Sequence, residues 1–147
     1  MEIKYNLTEI NEVAKMIVSI LGERRIIFLY GDLGSGKTRL SGEVIRLMLG
    51  DPSLIVQSPT YGIVNVYKSI SNTIAHLDLY RIKSPSELYE IGLQEILQQS
   101  FCIIEWPEIM QSGFSVDLRG VCQLTIGSTE VDDERVLTIL NPRSRSC

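Results

Sequence analysis

A glycine-rich stretch lying between a strand-like run and a helix-like run constrains this chain more than any other feature. Ile26-Ile27-Phe28-Leu29-Tyr30 is a short apolar run rich in β-formers, the kind buried on both faces at the centre of a sheet. Gly31-Asp32-Leu33-Gly34-Ser35-Gly36-Lys37-Thr38 follows directly. A helical pattern then runs to about Leu49, with Gly50 placed to end it. Gly31, Gly36, Lys37 and Thr38 satisfy the pattern Gly-x4-Gly-Lys-Thr. Glycines let the backbone curl so that successive N–H groups converge on phosphate oxygens, and the helix beginning there adds its positive end. Lys37 is then expected to reach the β- and γ-phosphates, and the Thr38 hydroxyl to hold Mg²⁺. Asp32, Leu33, Gly34, Ser35 and Arg39 complete the nucleotide-binding stretch. The blander reading is a glycine turn with an incidental Lys-Thr. Strand, loop and helix in this order favour the phosphate cradle.

The chain has 147 residues, which suits one compact domain over its whole length, with the last few residues open to disorder. That length supports a hydrophobic core without disulfides or structural metal. A net charge of −4 argues against a large basic face for nucleic-acid phosphates, and the basic residues are scattered, the closest pairs being Arg24-Arg25 and Arg143/Arg145. Contact with RNA through a partner stays compatible with that charge. Cys102, Cys122 and Cys147 show neither zinc nor redox spacing and read as reduced thiols. The start of the chain has no basic segment followed by an apolar one, and no apolar run approaches the roughly 18 residues that span a membrane. The expectation is a cytoplasmic protein without membrane contact.

Thr8 can cap a first helix, in which Ile10, Val13, Ala14, Ile17, Ile20 and Leu21 recur at helical spacing before Gly22. Past Pro52 the pattern changes. The stretches 61–67 and 73–79 both favour strand, and about five polar residues between them are too few for a helical crossover. They predict an antiparallel hairpin, hence a mixed sheet. Ser84-Pro85-Ser86-Glu87 is a capping box for a short helix to Ile91, followed by Gly92 and a second short helix over 94–99. Phe101-Cys102-Ile103-Ile104 reads as another buried strand, and strands near 121–126 and 135–140 finish the sheet. The fold class is α/β, a single-domain P-loop nucleotide-hydrolase-like fold with helices on the faces of a mixed sheet.

A phosphate loop needs an acid at the tip of a neighbouring strand to hold Mg²⁺, directly or through water. Glu105 ends the apolar run 101–104. Asp78 shares a strand face with His76 and Tyr80 by period-two alternation. Each acid also has a plainer reading, Glu105 as a surface strand end and Asp78 as an exposed partner of Arg81. Both beside one loop would let one bind metal and the other orient or activate water. His76, the only histidine, cannot assemble a metal site alone and reads first as a packing or hydrogen-bonding residue. Trp106, the only tryptophan, is either a core or edge aromatic or a neighbour of the nucleotide. Gln57-Ser58-Pro59-Thr60-Tyr61 occupies the place of a γ-phosphate-sensing segment, or is a proline turn. Arg81 suits transferring phosphate charge or an ion pair.

Three classes compete for such a loop. A small GTPase needs an Asn-Lys-x-Asp segment, which is missing. A small-molecule kinase needs an arginine-bearing lid, and 84–99 carries Glu87, Glu90 and Glu95 without an arginine. A nucleotide-dependent interaction module that does not hydrolyse stays open, but hydrolysis coupled to a partner is the best physical reading.

Four blocks then stand together: Gly-Asp-Leu-Gly-Ser-Gly-Lys-Thr (31–38), Ser-Pro-Thr-Tyr (58–61), His-Leu-Asp-Leu-Tyr-Arg (76–81) and Ile-Glu-Trp-Pro-Glu (104–108). Their order and spacing resemble the bacterial TsaE (YjeE) ATPases over roughly residues 8–140. The resemblance implies a small mixed α/β ATPase serving the threonylcarbamoyladenosine modification of tRNA, and a site completed by a partner is expected to hydrolyse slowly when alone. It implies TsaD and TsaB as protein partners, with ATP hydrolysis resetting the modifying complex between rounds and tRNA met only through that complex. It further implies phosphate binding by Lys37, Mg²⁺ held by Thr38 and Glu105, Asp78 as the catalytic acid acting on water, Trp106 close to the nucleotide, and Ser58 and Thr60 in a switch-like segment. Asn141 to Cys147 match nothing in the family pattern.

Overall fold

The computed structural model describes residues 1–140. Arg143, Arg145, Cys147 and the expected disorder of the last residues lie outside the described residues. Seven strands form one sheet in the order β1-β7-β6-β2-β5-β4-β3. The strands are β1 (Glu2–Asn6), β2 (Ile26–Tyr30), β3 (Val64–Lys68), β4 (Thr73–Asp78), β5 (Phe101–Glu105), β6 (Val121–Ser128) and β7 (Glu134–Leu140). β6, β2, β5 and β4 run parallel at the centre, whereas at the two sides β3 pairs antiparallel with β4, β7 with β6 and β1 with β7. The central strands are the continuous apolar runs, as burial on both faces requires.

Two helices, α1 (Ile10–Ile20) and α2 (Lys37–Leu49), cover one face. Their apolar stripes, with Val13, Ala14 and Ile17 from α1 and Leu40, Val44 and Ile45 from α2, meet Ile27, Leu29, Ile103 and Leu124 of the sheet. The short helices α3 (Pro85–Glu90) and α4 (Leu93–Gln99) cover the other, where Leu88 and Leu93 pack with Phe28, Leu77 and Ile104. Cys102 and Cys122 are buried free thiols, and burial pushes Cys102 up to about 12, which makes both inert packing groups. Among the described residues no helix is long and apolar enough to cross a membrane.

The predicted hairpin is present, with β3 and β4 paired from Val64↔Leu77 to Lys68↔Thr73. Its first strand starts later than expected, because Ile63 adopts a positive φ of 69° and breaks the extended run after Tyr61. The N-terminal reading needs a larger correction. Asn6, not Thr8, begins the helical region as the cap of a 3-10 turn at Leu7–Glu9, its backbone N–H donating to Glu9 Oε1 at 2.8 Å. Residues before it form β1, an edge strand that pattern alone does not show, since only Tyr5 of its five residues is buried.

The capping box at α3 is present as expected, with Glu87 Oε2 accepting from the backbone N–H of Ser84 at 2.9 Å and of Lys83 at 2.6 Å. These two bonds favour the charged carboxylate and hold its pKa below the ordinary 4.5. A carboxyl depressed in the folded state stabilises fully above its unfolded pKa and loses that contribution as pH falls through the folded one. Glu87→Ala should therefore lower the urea midpoint at neutral pH, and the gap to wild type should close as the pH is taken well below 4.5. A gap that persisted in acid would assign the effect to packing instead.

Candidate nucleotide site

The parallel centre of the sheet sends β2, β4 and β5 to the same edge, and the site is built where they end. At such an edge the crevice beyond the strand C-termini is where open α/β sheets bind ligands. β2 runs into the glycine loop, which closes onto α2 with Gly36 at φ 103° as the residue before the helix. A side chain is strained at that angle, so glycine permits the turn. Gly31 is required for a second reason: a Cβ there would meet Ser35 Oγ at 2.6 Å and the Ile126 carbonyl at 2.8 Å.

Lys37 is buried, and its ammonium turns back over the loop to donate to the carbonyls of Gly31 at 2.5 Å and Asp32 at 2.9 Å. Burial lowers its pKa below the ordinary 10.5, an effect that Glu105, Asp78, Glu108 and Asp32 oppose. The same ammonium lies 4.3 Å from the centroid of the Trp106 ring. Trp106 takes a left-handed backbone conformation at the end of β5 and packs on Tyr80, ring centroids 4.8 Å apart. Trp106 is thus a wall of the site and not a core aromatic.

Thr38 and Glu105 meet directly. The threonine hydroxyl lies 3.1 Å from each carboxylate oxygen. Ser41, three residues on along the same face of α2, donates to Oε2 at 3.4 Å, and His76 Nε2 reaches the same oxygen at 2.5 Å. Glu105 is 2% exposed, so it is not a surface strand end. Asp78, paired in register with Glu105 across β4 and β5, is 6% exposed. Its Oδ2 accepts from Thr60 at 3.2 Å and its Oδ1 from the Tyr80 backbone N–H at 2.9 Å. The reading of Asp78 as an exposed partner of Arg81 fails on that burial, and Arg81 instead lies 4.3 Å above the Tyr61 ring.

A cleft of about 320 Å³ collects these groups, with Gly34, Gly36, Lys37 and Thr38 on one wall, Ser58 and Thr60 on another, and Asp78, Glu105 and Trp106 between them. Leu33 and Arg39 reach the rim as exposed side chains; Asp32 is exposed and Ser35 buried within the loop. A larger groove of about 900 Å³ lies alongside, between α2 and residues 50–56. None of the loop's glycines and neither acid line it, so the smaller cleft is the place where the chemistry converges.

Two residues of the site carry no local signal in the sequence. Ser41 has meaning only once Glu105 faces it. Arg135, at the start of β7, donates to the Ser35 carbonyl at 3.1 Å from 100 positions away.

Comparison with known proteins places the chain in a family. The family model for threonylcarbamoyl adenosine biosynthesis protein TsaE matches residues 5–136. Relatives named tRNA threonylcarbamoyladenosine biosynthesis protein TsaE match as well. The one from Rickettsia bellii is 38% identical over 90% of this chain and 89% of its own length. The one from Rickettsia conorii is 42% identical over 70% of this chain, and that match spans 58% of the relative's own length. The crystal structure of Bacillus subtilis YdiB is similar with a TM-score of 0.68 at 26% identity, covering 95% of this chain and 84% of that one. The fold is accordingly that of a P-loop nucleotide hydrolase, and the chain belongs to the TsaE family of threonylcarbamoyl adenosine biosynthesis proteins.

Proposed function

We propose that this chain binds ATP with Mg²⁺ in the cleft and hydrolyses it slowly, as a partner-coupled ATPase supporting the threonylcarbamoyladenosine modification of tRNA. The observation that carries the reading is the Thr38 hydroxyl against the Glu105 carboxylate at 3.1 Å, at the foot of the glycine loop and beside Asp78. The residues present fit both ligands. Ser35 Oγ is buried without a hydrogen-bond partner inside the loop, and the space above Gly34 and Gly36 is open. Among the described residues no group of three His, Cys, Asp or Glu side chains gathers for a metal. That suits Mg²⁺, which is held by one or two protein oxygens together with substrate phosphates.

The roles follow from position. Backbone N–H groups of residues 34–38 and the α2 N-terminus favour phosphate oxygens. Lys37 supplies a positive charge that is already partly desolvated, so it acts strongly on phosphate charge. Thr38 and Glu105 would hold Mg²⁺, which when bound neutralises phosphate charge as it builds during transfer. Asp78 is placed to orient a water and to take its proton. Trp106, its ring 4.3 Å from the Lys37 ammonium, flanks the loop and would report on a nucleotide bound there.

None of the arginines around the site is fixed against the place of the transferring phosphate: Arg81 sits on Tyr61, Arg135 on the Ser35 carbonyl, and Arg39 is exposed at the rim. Slow turnover in isolation follows, and TsaD and TsaB are the partners proposed to complete the site, with tRNA reached only through them. A kinase lid finds no support: residues 85–99 are α3 and α4, anchored in the core by Leu88 and Leu93.

Titrating ATP with Mg²⁺ against Trp106 fluorescence should give saturable binding in wild type and at least a tenfold loss in Lys37→Ala, by about the strength of a charge-assisted hydrogen bond. Equal binding by both proteins would remove the nucleotide reading. Asp78→Ala should bind as wild type does yet turn over roughly 100-fold more slowly, the lower range for losing a general base. Unaltered turnover would take the water-orienting role from Asp78. Adding TsaD with TsaB should raise the ATPase rate, and a rate indifferent to them would leave a self-contained hydrolase.

A further inference from the structure

Glu105 is gripped from two sides, and one grip comes from a residue that the reading above leaves without a task. Thr38 and Ser41 approach the carboxylate from α2. His76 approaches from the sheet. It lies on β4 two residues before Asp78, so both face the side that α2 covers, and the parallel register sets it against Ile103, two residues before Glu105. From there the imidazole leans along the strand to place Nε2 at 2.5 Å from Glu105 Oε2.

The ring is fully buried, and its other nitrogen, Nδ1, has no hydrogen-bond partner. An imidazole that faces a carboxylate at Nε2 and no acceptor at Nδ1 can serve that carboxylate as a donor only through Nε2–H. A residue kept only for packing gains nothing from this arrangement, since an aliphatic side chain fills the space without burying an unpartnered nitrogen. The bond also makes a choice between the two oxygens. Oε2 takes His76 and Ser41 as well as Thr38, whereas the hydrogen-bond partner of Oε1 is Thr38.

We propose that His76 is a positioning residue for the Mg²⁺ site: its Nε2–H anchors Glu105 Oε2 to the sheet and so keeps the Oε1 side of the carboxylate, together with the Thr38 hydroxyl, available as oxygen ligands. This rests on the reading of Glu105 as the Mg²⁺-side acid. Without His76 the carboxylate has donors on α2 only and is free to swing toward them. Partners that orient a ligating group in this way typically account for 10- to 100-fold in metal affinity.

The test uses the full chain loaded with a non-hydrolysable imido analogue of ATP, titrated with Mg²⁺ and read by the fluorescence of Trp106, the only tryptophan. His76→Leu should raise the Mg²⁺ dissociation constant by about 10-fold or more while analogue binding without Mg²⁺ stays as in wild type. His76→Gln, which keeps an N–H donor near the position of Nε2, should recover most of the loss. Wild-type Mg²⁺ affinity in His76→Leu, or equal losses in the Leu and Gln variants, overturns the proposal. Glu105→Gln separates the two readings. If it weakens Mg²⁺ binding and His76→Leu does not, the role of His76 alone falls; if Glu105→Gln has no effect either, the role of Glu105 falls first.

A second measurement needs no variant to fold. His76 is the only histidine, so long-range ¹H–¹⁵N spectra of wild type contain one imidazole. Its proton should sit on Nε2, and its resonances should shift when Mg²⁺ joins the bound analogue. A proton on Nδ1, or resonances indifferent to Mg²⁺, overturns the proposal.

Discussion

A carboxylate taken almost wholly out of water destabilises a fold unless its oxygens find donors, and Glu105 is such a group at 2% exposure. Its donors come from two other elements, Thr38 and Ser41 on α2 and His76 on β4. Satisfying it therefore requires β5 to lie beside β4, α2 to cross the same sheet face, and the glycine loop to release α2 at the height where Thr38 reaches the strand end. The topology meets all three conditions at once. β2 and β4 flank β5 on either side, both parallel to it, so the loop leaving β2 and the acid ending β4 arrive at one edge. The glycine loop and the buried acid are in this sense one construction, since removing either leaves polar groups of the other without partners.

The central part of this construction was legible in the chain because it is written in local pattern. The apolar run 26–30, the glycines after it and the apolar run 101–104 ending in an acid each announce an element and its neighbour. The loop's short distance from strand to helix leaves little freedom in how they connect. The capping box at Ser84 was legible for the same reason, because it acts across four residues. What stayed hidden depends on distant partners. β1 alternates weakly and exists as a strand because β7, from the far end of the described chain, pairs with it from Glu2↔Thr138 to Asn6↔Glu134. Asn6 overrides Thr8 as a cap because that strand ends at Asn6 and the backbone N–H there finds Glu9.

In the site the same division holds. The acids could be proposed from strand ends, but their burial could not, and burial is what removes Arg81 from Asp78. Ser41 and Arg135 carry nothing in their own neighbourhood that marks them. The strand expected from Tyr61 failed at Ile63 for a backbone reason. A β-branched residue at φ 69° costs roughly 1–3 kcal/mol and persists only where surroundings impose it. Here the surroundings are two backbone bonds, Ile63 N–H to the Pro59 carbonyl and Asp78 N–H to the Ile63 carbonyl, which tie the turn to the end of β4.

That turn makes the two acids unequal. Glu105 is held by donors on α2 and β4, two elements packed into the core. Asp78 is held at Oδ2 by Thr60, whose hydroxyl also meets Ser58 at 2.5 Å, in a segment whose Tyr61 is 84% exposed. Segments with few buried apolar contacts open at far lower free energy than core elements. A site with one acid fixed and the other tied to a surface segment has a natural division of labour. The fixed acid suits metal, which needs a constant geometry, and the other suits a water that must be positioned once per turnover. Under the proposed function this gives a partner a point of leverage: a surface that grips Tyr61 and Arg81 would hold the same segment that supplies Thr60 to Asp78, without touching the buried carboxylate.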